Sequence, residues 1–207
     1  MTRLLTIRSA LLLSAMLALS GCSVLSALGK ATASLDAYEL RGNLPPVTET
    51  RRSQLHVIVE PPIVSGALDT DRILIRPNRL QAQYLPDGRW TDTPAKMLQS
   101  ALVREIDGTG AFGYVGREPL GGGGDYAVVT EITDFQPEVV TDGQIEDHIR
   151  VATKLVRERD VAVVAQRVFE VRVPAASTNT PHLIASLDAA MARIVGEIVS
   201  WTVANLG

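Results

Sequence analysis

The chain has one cysteine, three histidines and few aromatic residues, with two Trp, four Tyr and three Phe among 207. A single cysteine excludes any disulfide within the chain. Three histidines suffice in number for zinc, but His56, His148 and His182 share no ligand spacing on one element, so satisfied or exposed imidazoles are expected and no metal ligand is assigned. Asp147 and His148 adjoin on a segment with strand alternation, where neighbours point to opposite faces, so this pair does not make the contact of a catalytic triad. No G-x-S-x-G elbow and no P-loop is present. The balance of 20 basic against 23 acidic residues, net −3, lacks the clustered positive charge that nucleic acid requires. These absences leave no catalytic or cofactor-binding residue to assign, and a non-enzymatic protein is the expectation.

What is present begins at the N-terminus. Arg3 and Arg8 precede an apolar run over 10–19 broken by Ser14, and the small residues Ser20 and Gly21 follow. That order is the layout of an export signal, and the run is shorter than the ~20 residues of a membrane span. An uncut anchor helix is the alternative, disfavoured by the same length. Leu19-Ser20-Gly21-Cys22 resembles the lipobox of bacterial lipoproteins, in which the thiol is lipidated before cleavage. The resemblance implies a signal peptide over 1–21 and a diacylglycerol thioether with a further acyl chain on Cys22. Each buried methylene contributes about 0.8 kcal/mol, so several chains hold where one binds only reversibly. Ser23, where Asp would favour inner-membrane retention, implies the periplasmic face of the outer membrane. Loss of the leader, with two basic residues and no acids, takes the net charge from −3 to −5.

Residues 22–36 form a Ser, Ala and Gly-rich lipidated tether, with Leu25 and Leu28 packing as a helical turn as the other reading. Residues 37–207 then suffice for one domain. Strands are expected at 38–41 and 54–59, the second stopped by Pro61-Pro62, and in a hairpin of 72–76 with 80–85 turning at Pro77-Asn78. Thr93-Pro94 opens a helix whose Leu98, Ala101, Leu102, Glu105 and Ile106 recur at helical spacing, ended by Gly108 and Gly110. A short strand at 112–115 and three longer ones at 126–135, 145–156 and 161–173 follow, an antiparallel meander being the simplest topology. Val161, Val163, Phe169, Val171 and Val173 are expected on one side of the last strand.

Thr180 and Pro181 open the final helix. Its Leu183, Leu187, Met191, Ile194, Ile198 and Trp201 make a long apolar stripe. Two helices on one face of a largely antiparallel sheet of six to eight strands define an α+β two-layer sandwich. Trp90, before the first helix, and Trp201, on the stripe, are expected to pack rather than to anchor a partner. The four-glycine run at 121–124 precedes a strand and lacks a following Lys-Ser or Lys-Thr, so it reads as a flexible loop rather than a phosphate cradle. Lys154, Arg157, Glu158, Arg159 and Asp160 read as a solvated turn.

Several motifs in order carry a resemblance. Asp71-Arg72-Ile73-Leu74-Ile75-Arg76, Gln83-Tyr84-Leu85 and Arg89-Trp90-Thr91-Asp92 lead into the first helix. Phe112-Gly113-Tyr114-Val115, Asp125-Tyr126, Ile132-Thr133-Asp134-Phe135 and the terminal Ile198, Val199 and Trp201 follow. From about Ala37 to the end, this series resembles the auxiliary lipoproteins of ABC-type transport systems. The loop at 119–125 departs from the family pattern.

The resemblance implies partnership with an ABC permease, its ATPase and a substrate-binding protein of the mammalian-cell-entry (MCE) type, in systems moving phospholipids or other hydrophobic molecules between membranes. It implies no cofactor beyond the covalent lipid, and Cys22 is the one site residue it carries over. An exposed strand edge would accept the transport component by strand addition, while a monomer and an isologous homo-oligomer leave the same sequence pattern. An envelope-assembly or secretion lipoprotein is the competing reading. An envelope hydrolase would need a reactive constellation that the residues do not supply.

Overall fold

The computed structural model describes residues 35–42, 44, 53–140 and 143–207. The proposed leader, Cys22, most of the tether and Pro45-Pro46 lie outside the described residues. Asp36–Gly207 forms one compact unit. Its strands are β1 Asp36–Tyr38, β2 His56–Val59, β3 Ile63–Val64, β4 Arg72–Asn78, β5 Gln81–Trp90, β6 Tyr114–Gly116, β7 Tyr126–Val139, β8 Ile145–Arg157 and β9 Ala162–Pro174. The helices are α1 Pro94–Gly108 and α2 Thr180–Leu206. The protein is α+β, a large, mostly antiparallel open sheet with two helices, as the sequence pattern predicts.

The spine is the antiparallel series β7-β8-β9. The other edge of β7 takes three short partners in turn, all parallel: Val57–Val59 beside Tyr126–Val128, Ile63–Val64 beside Glu131–Ile132, and Arg76 beside Glu138. Pro61 and Pro62 fall between the first two, where missing amide hydrogens interrupt the ladder without redirecting the chain. The described strands number nine, one more than predicted, because β3 is too short to leave a periodic signal; β1 is displaced to Asp36–Tyr38, pairing with Gly88–Trp90.

Both helices fill the core from one side. Met97, Leu98, Ala101, Leu102 and Ile106 of α1, and Leu183, Leu187, Met191, Ile194 and Ile198 of α2, are buried. Each of these Met, Leu and Ile side chains contributes roughly 1.5–3 kcal/mol on leaving water. Trp90 packs edge-to-face against Phe135 with ring centroids 6.2 Å apart, and Trp201 meets Phe169 at 5.6 Å. Packing is thus the role of both tryptophans. Asp188 on α2 accepts from the backbone N–H groups of Arg41 and Gly42 at 2.7 and 2.9 Å, pinning the entering chain to the helix.

Local details depart from the sequence pattern for identifiable reasons. Thr93 occupies the N-cap of α1 but makes no side-chain capping bond. Asn179, rather than Thr180, sits at the N-cap of α2, and the Thr180 hydroxyl instead donates to the Asp87 carboxylate at 2.9 Å. The β4–β5 turn falls at Arg79 and Leu80, because both strands run longer than the apolar alternation indicates. Two bulges matter more. Thr133 is the extra residue between Ile132 and Asp134, which lets Ile132 and Phe135 both face the helices. Val164 is extra opposite Leu155 and Val156, which turns Val163 out of the predicted apolar stripe to 53% exposure.

Candidate functional site

The residues after the Thr133 bulge build the most elaborate polar site among the described residues. Once the bulge has flipped the alternation, Asp134, Gln136 and Glu138 share the face away from the helices. Register places Gln136, His148 and Arg172 in one cross-strand row, and Asp134, Arg150 and Glu170 in the next. Sequence reading placed His148 on a strand and away from Asp147. The partners brought beside it from β7 and β9 were not legible, because their pairing depends on the bulge.

The geometry is dense. His148 is buried, with Nδ1 3.2 Å from Glu138 Oε1 and Nε2 2.9 Å from Glu170 Oε1. The Arg172 guanidinium lies against the imidazole, Nη2 being 3.1 Å from Nδ1, and its Nη1 is 3.3 Å from Glu138 Oε2. Gln136 is fully buried and donates from Nε2 to Asp134 Oδ1 at 3.1 Å and to Glu138 Oε1 at 2.7 Å. Burial works to raise the Glu138 carboxyl, but hydrogen bonds from Gln136 and His148, with the charges of His148 and Arg172, outweigh it and hold the group below its ordinary range. Arg76 approaches Glu138 from β4 at 3.8 Å. A groove of about 280 Å³ opens beside this network, lined in part by Arg76, Arg79 and Asn78 of the hairpin.

Asp134, Glu138 and His148 present three ligand atoms within 4.8 Å of one another, a spacing that could hold a metal ion. Their surroundings fit one poorly. The Gln136 amide hydrogens already bridge the two carboxylates, and the Arg172 guanidinium lies on the imidazole where a second cation would be repelled. The chemistry favoured is an ion-pair network that locks three strands together. Among the described residues no such cluster contains two histidines. His56 stacks edge-on to Tyr114, and His182 Nδ1 lies 2.8 Å from Ser177 Oγ.

On the helix side of the same strand, Asp147 is fully buried beneath α2, and neither carboxyl oxygen has a hydrogen-bond partner. Burial pushes its pKa up to about 7. The nearby Ser186 hydroxyl directs its hydrogen to the carbonyls of His182 and Leu183 rather than to the carboxylate, so it offsets little of this. A carboxyl in such a position holds its proton near neutrality. No sequence signal marked it, since an acid at an alternating strand position is ordinarily solvated.

The glycine run is a packing feature at its last member. The Gly124 N–H donates to Glu158 Oε2 at 2.7 Å, and a Cβ there would lie 2.6 Å from Ile58 Cγ1. The loop is thereby tied to the β8–β9 turn, which Arg157 and Asp160 close with two hydrogen bonds of 2.9 Å.

With this architecture in view, the comparisons with known proteins give its family and its fold. The family described as ABC-type transport auxiliary lipoprotein component matches residues 38–199, and the chain belongs to it. An uncharacterized protein of Bradyrhizobium diazoefficiens is 31% identical over 180 residues, covering 84% of this chain and 47% of that protein. The chain therefore spans about half the length of the curated relative it matches. A crystal structure of a Xanthomonas campestris protein shares the fold at a TM-score of 0.72, with 24% identity over 82% of this chain and 95% of the other. A hypothetical protein of Chlamydia trachomatis is similar at 0.51, with 10% identity over 74% and 98% of the two chains. Among the described residues no helix is long and apolar enough to cross a membrane.

Proposed function

We propose that this protein is the lipid-anchored auxiliary component of an ABC-type transport system, acting as a docking adaptor rather than a catalyst. Family membership over 38–199 behind the Leu19-Ser20-Gly21-Cys22 lipobox is the observation that carries the reading. In this proposal the leader 1–21 is removed, Cys22 carries diacylglycerol and an amide-linked acyl chain, and residues 22–36 tether the domain. Ser23 supports placement at the periplasmic face of the outer membrane. The partners are an MCE-domain substrate-binding protein with its permease and ATPase, and the cargo is a phospholipid or other hydrophobic molecule.

The physical logic is one of concentration. A fixed anchor confines the domain to the membrane surface, so a partner reaching across the periplasm meets it at a raised effective concentration. Purification of the full chain from native membranes should bring down the permease, ATPase and entry-type protein. Recovery of secretion or pilus components in their place would overturn the proposal. In parallel, Cys22→Ser should abolish palmitate labelling and leave the leader 1–21 uncleaved, and retained labelling would remove the anchor from the argument.

A further inference from the structure

The outermost strand of the spine is unusual for an edge. Among the described residues β9 pairs only with β8, and no described strand lies along the other side of its backbone. Four of the eight exposed large hydrophobics among the described residues lie on it or in the turn leading to it: Val161, Val163, Val164 and Val168. Edge strands of soluble domains are commonly blunted by bulges, prolines or short length. Here the bulge at Val164 and the proline at Pro174 stand at the two ends, and the run 165–173 between them is regular.

We infer that β9 pairs antiparallel with β9 of a second copy of this chain about a twofold axis at Val168. Continuity of the two faces across such a junction requires residues of like orientation to meet. With Val168 on the axis, Val168 meets its own counterpart. Gln166 then faces Glu170 of the second copy, Ala165 faces Val171, and Arg167 faces Phe169. Arg167 already sits 4.7 Å over the Phe169 ring of its own strand, so the junction extends an existing cation–π contact. Other axes match less well. An axis at Arg167 opposes two arginines, one at Glu170 opposes two glutamates, and one at Phe169 sets Val168 against Glu170. An axis at Val171 pairs Glu170 with Arg172 but leaves Val168 against Pro174. The register that hides the valine is also one that places no like charges opposite each other, and this self-match assigns the edge to a second copy rather than to the transport component. The inference does not rest on the transport reading.

Cysteine cross-linking of the full chain in its membrane tests it, with the parental chain, which retains Cys22, as control. Under mild oxidant Val168→Cys should give a product of twice the chain mass, and Ser200→Cys on the exposed side of α2 should not. Co-expressed Gln166→Cys and Glu170→Cys chains should cross-link to each other. In detergent, Val168→Lys, at a part-exposed position that leaves the core intact, should lower the mass seen by light scattering from two chains to one. A linked Glu170→Cys and Arg172→Cys pair, a product with a different protein, or a parental chain that is monomeric at tens of micromolar would overturn the inference.

Discussion

Asp147 and His148 are chain neighbours on β8 whose side chains lie on opposite faces of the sheet, one sealed under α2 without a hydrogen bond, the other held among carboxylates on the open face. The same backbone segment thus faces a dry helix layer on one side and an ion-pair network on the other.

For Asp147 the sign follows from the raised value. The unfolded chain releases this proton near 3.8 and the folded chain near 7, so stability declines as pH rises from about 4 to 7 and then levels. The full span corresponds to roughly 4 kcal/mol at ~1.4 kcal/mol per unit. Asp147→Asn should flatten this slope in urea titrations and raise the unfolding midpoint at pH 7.5. An unchanged slope would mean the carboxyl is solvated.

Glu138 works the other way. Its carboxyl is held low, so its contribution is present at neutral pH and lost as pH falls through the folded-state value. Glu138→Ala strands the Gln136 amide and His148, and should cost about 1–2 kcal/mol, the partial exposure of Arg172 keeping the figure modest. A double-mutant cycle with Gln136→Ala should show coupling between the two positions, and strict additivity would dissolve the network.

Val161 adopts φ +54° while 80% exposed. A β-branched side chain is strained in that region, so Val161→Gly should stabilise the turn by about 1 kcal/mol. Thermal unfolding reads the change, and a lowered midpoint would show that the valine has a compensating contact.

Trp90→Ala should cost roughly 3–5 kcal/mol through the cavity left against Phe135, whereas Leu80→Ser, at the fully exposed hairpin tip, should stay within about 0.5 kcal/mol. Chemical denaturation of both variants compares the two directly. Similar losses would indicate that the hairpin tip has a packing partner.

The two-layer architecture was legible because its signals are local. Leu183, Leu187, Met191, Ile194 and Ile198 repeat at helical spacing, Pro94 and Pro181 mark helix starts, and Ile149, Val151 and Leu155 alternate on one strand face. The proposed lipobox at Leu19-Ser20-Gly21-Cys22 is equally local, since such a motif is read as a linear sequence before any fold exists. The polar site and the β9 edge are not local. One extra residue at Thr133 carries Asp134, Gln136 and Glu138 to the face of His148, and one at Val164 turns Val163 to solvent; in a period of two, a single insertion inverts every later side chain. Sequence by itself determined the helices and the class of fold. Tertiary pairing alone decided which charges meet, which carboxyl is buried, and which strand stands outermost among the described residues.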